Sequence, residues 1–338
     1  MRVTWRWEYF LILLLAAEFV TFGSINPRFL NITVILMSIN DFIPVCLVSL
    51  FVTLVIVTGG IDIQAGSIIG LTSVCVGVFW QKLGINVFVA ALMGLLVACL
   101  CGLISGWLIA HTDVQPMVIT LGGSFLFAGI ALLVPSLAGV PSYQGITNFP
   151  QVFQAIGNHR IGGVVPNLVV IFAVLGVIAW LLLHRSKYGR RIFLIGVNRH
   201  TAEYSGIRSA NIIMSTYILS GLAAGIAGVV MTSYLGTAKS DFGSDLTLPI
   251  VTAVVLGGTS IYGGKGSVVG TALASLVIGL LQFGLSLMGV TAQYYDIPVG
   301  ILLVLSLSVN FLINKGVFRG LPKRLLRRRG GKLNVDLI

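Results

Sequence analysis

Long stretches of this 338-residue chain contain no Asp, Glu, Lys or Arg, among them 42–61, 83–112, 114–159, 161–184, 209–238, 246–264, 266–295 and 297–314. A helix needs about 20 apolar residues to cross the hydrocarbon of a bilayer. Runs of that length, repeated down the chain, restrict it to a membrane. Composition agrees: 57% of residues are hydrophobic and 9% charged, where a soluble domain carries roughly 25% charged residues. There is too little polar material to coat a soluble core of this size, so a soluble enzyme is excluded. The length is read as one all-α polytopic membrane domain over 1–314, followed by a basic tail at 315–338.

Ten spans are predicted, at about 7–25, 41–58, 65–81, 87–110, 114–135, 164–183, 212–235, 246–262, 267–289 and 295–313. The second half of the 114–159 run is broken by Pro135, Gly139, Pro141, Gly145 and Pro150 and reads as an exposed loop. The first span follows Arg2 and Arg6 but has Glu18 inside it and no small-x-small cleavage site, so it is expected to be retained. Net charge is +11. In a soluble protein that would point to nucleic acid. Here the basic residues crowd into Arg185–Arg208 and into 315–332, as in loops held on the cytoplasmic side. Both termini are therefore expected inside, with lipid as the surrounding partner and no nucleic acid.

Two glycine-broken stretches look alike. One is Gly59-Gly60-Ile61-Asp62-Ile63-Gln64-Ala65-Gly66-Ser67; the other is Gly257-Gly258-Thr259-Ser260-Ile261-Tyr262-Gly263-Gly264-Lys265-Gly266-Ser267. Each has a glycine pair, a polar break, then Gly-Ser and a new apolar helix. Interrupted segments at corresponding places in two halves point to a transporter's working centre, which makes Gly59, Gly60, Asp62, Gln64, Gly66, Ser67, Gly257 and Gly258 the candidate translocation path. Two similar turns built from common membrane residues would read the same, and the spacing alone leaves both readings open. Re-entrant geometry at 59–66 and 257–266 is open too. Small-x-x-x-small pairs, Gly102 with Gly106 and Gly221 with Gly225, predict close helix packing.

The chemistry of catalysis is missing. There is no phosphate loop, no Gly-x-Ser-x-Gly, no His-Glu-x-x-His and no paired-cysteine zinc motif. Neither metal nor cofactor is expected, and ATP must be bound elsewhere. Cys46, Cys75, Cys99 and Cys101 lie in apolar runs and read as small hydrophobes. Asp41, Asp62, Asp113, Asp241, Asp245 and Asp296 fall at the edges of apolar runs, which predicts solvated ends. Glu18 alone lies near a span centre, where an interhelical hydrogen bond is expected; a proton relay is the competing reading.

The central basic loop carries a helix signature. Asn198 is a good N-cap and Gly206 a good stop, enclosing about two turns with Arg199, His200 and Glu203 around a small Ala202. Such a short helix between spans is either a docking knob for a soluble partner or a mere connector.

Here the sequence resembles a family. Gly59-Gly60-Ile61-Asp62-Ile63 with Gly66-Ser67 is similar to the ribose and simple-sugar branch of bacterial ABC importer permeases. Gly189-Arg190 with Gly196, Asn198, Ala202 and Ser205-Gly206-Ile207 resembles that family's coupling loop, and Val255-Leu256-Gly257-Gly258 with Gly263-Gly264 and Gly266-Ser267 completes the match. Trp7-Glu8, Ile25-Asn26-Pro27-Arg28, Ser240-Asp241 and Ile261-Tyr262-Gly263-Gly264 look like the D-type permeases of autoinducer-2 import systems. The resemblance covers about residues 5–315. It implies a non-enzymatic permease subunit in a Gram-negative inner membrane, importing autoinducer-2, with ribose or another simple sugar as the alternative cargo. It also implies a C-type permease subunit as heterodimer partner, a cytoplasmic ABC ATPase and a periplasmic solute-binding protein. Residues 185–211 would form the coupling loop, with Gly196, Asn198, Ala202, Glu203, Ser205, Gly206 and Ile207 meeting the ATPase. Gln64-Ala65 departs from the family, which has Ser and a larger apolar residue there. An ion-coupled carrier using Glu18 is the reading from a different class.

Overall fold

The computed structural model describes residues 7–141 and 144–314. The predicted tail at 315–338 and the first basic residues lie outside them. Among the described residues thirteen α-helices follow in order: α1 Trp7–Ile25, α2 Ile32–Val57, α3 Ala65–Gln81, α4 Val87–His111, α5 Pro116–Leu137, α6 Gln151–Asn158, α7 Asn167–Trp180, α8 Lys187–Val197, α9 Arg199–Tyr204, α10 Ser209–Leu235, α11 Thr247–Leu256, α12 Val268–Leu287 and α13 Asp296–Asn314. A π turn, Leu181–Arg185, extends α7. Two short strands, β1 Arg160–Ile161 and β2 Val165–Pro166, pair antiparallel.

Every predicted span is occupied by a helix, but not every helix is a full crossing. Among the described residues, seven (α1, α2, α4, α5, α7 with its π turn, α10 and α12) are long and apolar enough to cross a membrane. Helix α3 has 17 residues and α11 only 10, so α11 rises about 15 Å, half a bilayer core. The span expected over 246–262 is thus a half-helix approached by the non-helical segment 236–246. Helix α2 differs in the other direction. It starts nine residues before the predicted 41, because the Asn31 side chain accepts hydrogen bonds from Thr33 N at 3.0 Å and Val34 N at 3.4 Å and caps it there. Asp41 consequently lies inside α2 rather than at its end, still exposed, and Tyr234 Oη donates to its Oδ1 at 3.0 Å.

Burial ranks the helices by depth in the bundle. The most apolar window of α2 is 89% buried and that of α10 61%, while α1 and α5 show 11% and 17%. The hydropathy of all four is high, so composition does not distinguish them. A helix hydrophobic all round is buried by neighbours or by lipid, and only tertiary contacts decide which. Helices α2 and α10 form the axis; α3, α4, α11 and α12 surround it; α1, α5 and α7 present their apolar faces outward.

The seam between α4 and α10 is made by the predicted glycines. A Cβ on Gly102 would overlap the Tyr217 carbonyl oxygen, one on Gly106 would lie 2.9 Å from Met214 O, and one on Gly221 would lie 2.5 Å from Ala98 O. The two backbones therefore touch directly, the arrangement that small-residue spacing allows.

The segment expected as an exposed loop after α5 is largely folded down. Phe149 and Phe153 are buried, the Trp80 and Phe149 rings stack at 4.7 Å, and Ile146 pairs with Ala238 in an isolated antiparallel bridge. This end lies opposite the end carrying Arg185–Arg208, called the basic end below.

The seam can be tested. Gly102→Val adds three carbons where none fits, and overpacking of this kind costs about 1–3 kcal/mol. A lower melting midpoint in detergent is expected, whereas Gly122→Ala, with open space around its Cβ position, leaves the midpoint unchanged.

Candidate functional site

Both glycine pairs end helices in the same way. Helix α2 stops at Val57, Gly59 adopts φ +86°, and its N–H donates to Ile56 O at 2.9 Å while Gly60 N donates to Val55 O at 3.2 Å. Helix α11 stops at Leu256, Gly258 adopts φ +89°, and Gly258 N and Thr259 N donate to Val255 O and Val254 O. These are two Schellman stops, which need a residue in the left-handed region at the position after the cap. The likeness ends there. Ser267 caps α12 by accepting from Gly270 N at 3.1 Å, whereas α3 begins at Ala65 behind Gln64, whose side chain makes no cap bond.

The two stops meet at the basic end. Gly264 N donates to Val57 O at 2.9 Å. An added Cβ on Gly196 of α8 would overlap that Val57 oxygen, and one on Gly263 would lie 2.8 Å from Gly196 O and 2.9 Å from Gly59 N. Three chain segments thus join backbone to backbone. Gly257 is equally tight, against the backbone of Gly270 and Thr271.

Between Gly59 and Ala65 the backbone is not helical, so its polar groups need partners from outside. Two surrounding side chains reach its backbone, and two more hold its polar side chains. Thr120 Oγ1 on α5 donates to Ile61 O at 3.0 Å, and Tyr217 Oη on α10 donates to the same oxygen at 3.4 Å. Ser220 Oγ on α10 donates to Asp62 Oδ2 at 2.6 Å, while Asp62 Oδ1 accepts from Gln64 N at 3.1 Å. Ser105 Oγ on α4 donates to Gln64 Oε1 at 2.6 Å. Asp62 and Gln64 are both buried, so the solvated end expected for Asp62 is overturned: its carboxyl is a structural acceptor inside the bundle. Gln64 Nε2 has no hydrogen-bond partner among the described residues. Gly66 has no room for a side chain against Gly243 O and Thr247 Oγ1. Ser67 sits on the first turn of α3 without a role of this kind.

The basic-end helix is the one the sequence describes. Asn198 Oδ1 accepts from Thr201 N at 2.9 Å, and α9 closes with another Schellman pair, Gly206 N to Glu203 O at 2.9 Å and Ile207 N to Ala202 O at 3.1 Å. Ser205 is the C-cap. Arg199 works in two directions: Nη2 donates to Ala110 O near the end of α4 at 2.9 Å, and Nε to Glu203 Oε1 at 3.1 Å. Ser209, first residue of α10, donates to Glu203 Oε1 as well. The helix is therefore tied to the basic ends of α4 and α10, the two helices whose Ser105 and Ser220 hold Gln64 and Asp62.

Ala202 is not at the surface. It is 4% exposed and packs with Ile109, Ile212 and Ile213. The outward face is made by His200, Thr201 and Tyr204, the last 93% exposed. A long side chain at Ala202 would thus disturb the seat of α9 rather than its outer face. Beside α9 a cavity of ≈ 300 Å³ opens between Gly59, Gly60, Asp113, Arg199 and Tyr217.

Glu18 also differs from expectation. Its side chain is buried, but both carboxyl oxygens lack a hydrogen-bond partner among the described residues, so the interhelical bond is not formed. The four cysteines are free, three of them buried.

Two measurements follow from this geometry. Ser220→Ala leaves Asp62 Oδ2 without its donor, an omission that costs about 1–3 kcal/mol when buried. The Asp62→Ala, Ser220→Ala pair is expected to be less destabilised than the sum of the single variants, measured by unfolding in detergent. Hydrogen bonds from Ser209 and Arg199 hold the Glu203 carboxyl below its ordinary value of 4.5. A carboxyl depressed in the folded state stabilises above its unfolded pKa, and that contribution is lost as pH falls through the lowered value. Amide protection across α9 should therefore be constant near neutrality and drop only on acidification below the ordinary carboxylate range; Glu203→Gln should remove that dependence.

The chain matches the family described as branched-chain amino acid transport system / permease component over residues 34–307. It is 46% identical over 299 residues to the autoinducer 2 import system permease protein LsrD of Enterobacter sp. (strain 638), covering 88% of this chain and 91% of that one. It is 45% identical over 304 residues to the protein of the same name from Escherichia coli (strain K12), covering 90% and 92%. No solved structure matches it.

Proposed function

We infer, for a chain that belongs to the family of branched-chain amino acid transport system permease components, that the imported ligand is autoinducer-2. The family makes the chain a multi-pass permease subunit of an ABC importer, not an enzyme, with ATP hydrolysis on a separate subunit and a solute-binding protein delivering the cargo. The observation that carries the ligand is the 45–46% identity over about nine-tenths of the chain to permeases named for autoinducer-2 import. The finer assignments rest on the same footing. The chain pairs with a C-type permease subunit in a Gram-negative inner membrane. Residues 1–314 form the permease domain, and the tail at 315–338 and the basic end face the cytoplasm.

The residues divide into two groups. Helix α9, within the 185–211 loop, receives the motion of the ATPase. Asn198, Ser205, Gly206 and Ile207 shape it, Ala202 seats it, Glu203 fastens it, and Gly196 anchors α8 beneath it. Residues 59–67 with Gly257 and Gly258 form the moving part of the path. Arg199 and Glu203 pull on α4 and α10, and those helices grip Gln64 and Asp62. The tie is short, polar and continuous, so a displacement of α9 reaches the broken segment without passing through soft apolar packing.

Complementation tests the ligand. Cells lacking their own D-type permease but retaining the other subunits should clear autoinducer-2 from the medium when this chain is supplied, while ribose uptake is unchanged. Restored ribose uptake without autoinducer-2 clearance would transfer the reading to the simple-sugar alternative. Coupling is tested at the outer face of α9. His200→Asp with Tyr204→Asp should cut uptake per ATP hydrolysed by about tenfold, the loss of roughly 1.4 kcal/mol of coupling, while the complex still assembles.

A further inference from the structure

The segment from Lys239 to Asp245 runs down α3 in a ladder of backbone contacts. Lys239 N donates to Ser73 Oγ at 3.2 Å, and Thr247 Oγ1 donates to Ile63 O at 3.4 Å. Between them the Ser240 carbonyl rests on Gly70 and the Gly243 carbonyl on Gly66, where a Cβ would not fit. Because α3 ends at Gln81, these rungs lie about 12, 16 and 22 Å below its far end at the helical rise per residue. From the other side, the ten residues of α11 place Thr247 about 15 Å from the basic end. Both rulers set Asp241 and Asp245 near the middle of a hydrocarbon layer about 30 Å thick.

At that depth Lys239, Asp241, Ser244 and Asp245 are exposed, while Gly243 between them is buried. The one salt bridge among the described residues is Arg199–Glu203, so none of these three charges is neutralised by an ion pair with another described residue. A charge at mid-bilayer does not face lipid; it faces a partner or water. The non-helical backbone here obeys the same rule, since irregular structure at membrane depth persists only where protein covers it or water lines it.

We propose that the face bearing Asp241, Ser244 and Asp245 is the wall of a water-filled conduit, opening away from the basic end, along which the ligand passes. Water is the occupant because two carboxylates and one ammonium group in a row, with no ion-pair partner among the described residues, keep their hydration more cheaply than they could be dried against another helix. The chemistry of the wall suits a small neutral solute rich in hydroxyls: carboxylates and a serine oxygen accept hydrogen bonds from hydroxyl donors. That ligand class rests on the permease reading above. The location of the wet face rests on depth and exposure alone. The sequence places these aspartates at the ends of apolar runs, and the structure places them at mid-depth.

The test uses the assembled importer in membranes, with the native cysteines replaced. Single cysteines go at Asp241, Ser244 and Asp245, and, as lipid-face controls, at Val20 and Phe125, which are 71% and 73% exposed. A charged, membrane-impermeant methanethiosulfonate is added from the binding-protein side. Modification of the three test positions is expected at least about tenfold faster than of the controls, because only a hydrated thiol ionises and reacts. Modified Asp245→Cys importer should then lose most of its uptake. Ser244→Cys, which removes no charge, carries the test if the aspartate variants do not assemble. Rates equal to those at Val20 and Phe125 in importers that still transport would overturn the conduit while leaving the permease reading intact. Absence of autoinducer-2 uptake by the unmodified importer would instead overturn the ligand and leave the accessibility result standing.

Discussion

Every backbone N–H and C=O at membrane depth must find a partner in the protein or in water that the protein holds there, and this chain breaks its helices at that depth twice. The rest of the bundle is organised around repairing those breaks. At 59–64 the repair is made by hydroxyls: Thr120 and Tyr217 reach Ile61 O, and Ser220 reaches the Asp62 carboxyl that in turn accepts from Gln64 N. At 236–246 it is made within the segment, Ser244 N donating to Asp241 O and Leu246 N to Gly243 O, and by Ser73 Oγ accepting from Lys239 N, while Gly66 and Gly70 let the segment lie close against α3. The first device holds one segment by side chains from three helices. The second holds a segment by its own turns and by shape.

These repairs explain why α10 is central. It carries Tyr217 and Ser220 for the break, Gly221 for the seam with α4, and Ser209 for the tie to α9. A helix of 27 residues is long enough to join the basic end to the opposite one, so one rigid element touches every working part. The mean apolar character of α10 hides this. Its polar residues are small hydroxyls that a hydropathy profile averages away.

The legible part of the structure was local. Charge-free runs marked the positions of the helices, because the hydrocarbon length leaves little choice, and the Asn198 cap with the Gly206 stop described α9 to within a residue. Asp62 was misplaced because its partner, Ser220, is 158 residues away in sequence and no spacing rule reaches that far. Ala202 looked central on a surface helix because two turns show the same pattern whichever face is inward; only Ile109 and Ile212 settle it. Asp41 looked like a boundary because it is the last charge before the apolar run, whereas the Asn31 cap starts the helix ten residues earlier. Glu18 was expected to find a partner, and neither of its buried carboxyl oxygens meets one among the described residues.

The junction of Val57, Gly196 and Gly264 has a consequence for how such a protein changes over time. Its contacts are carbonyl, amide and Cα, groups that every residue possesses. Apart from requiring glycine where there is no room, the joint is indifferent to what surrounds it. The amino acids lining the route above can therefore be exchanged freely without disturbing the joint below. A lineage built on this plan can retool for a new cargo while inheriting its transmission intact.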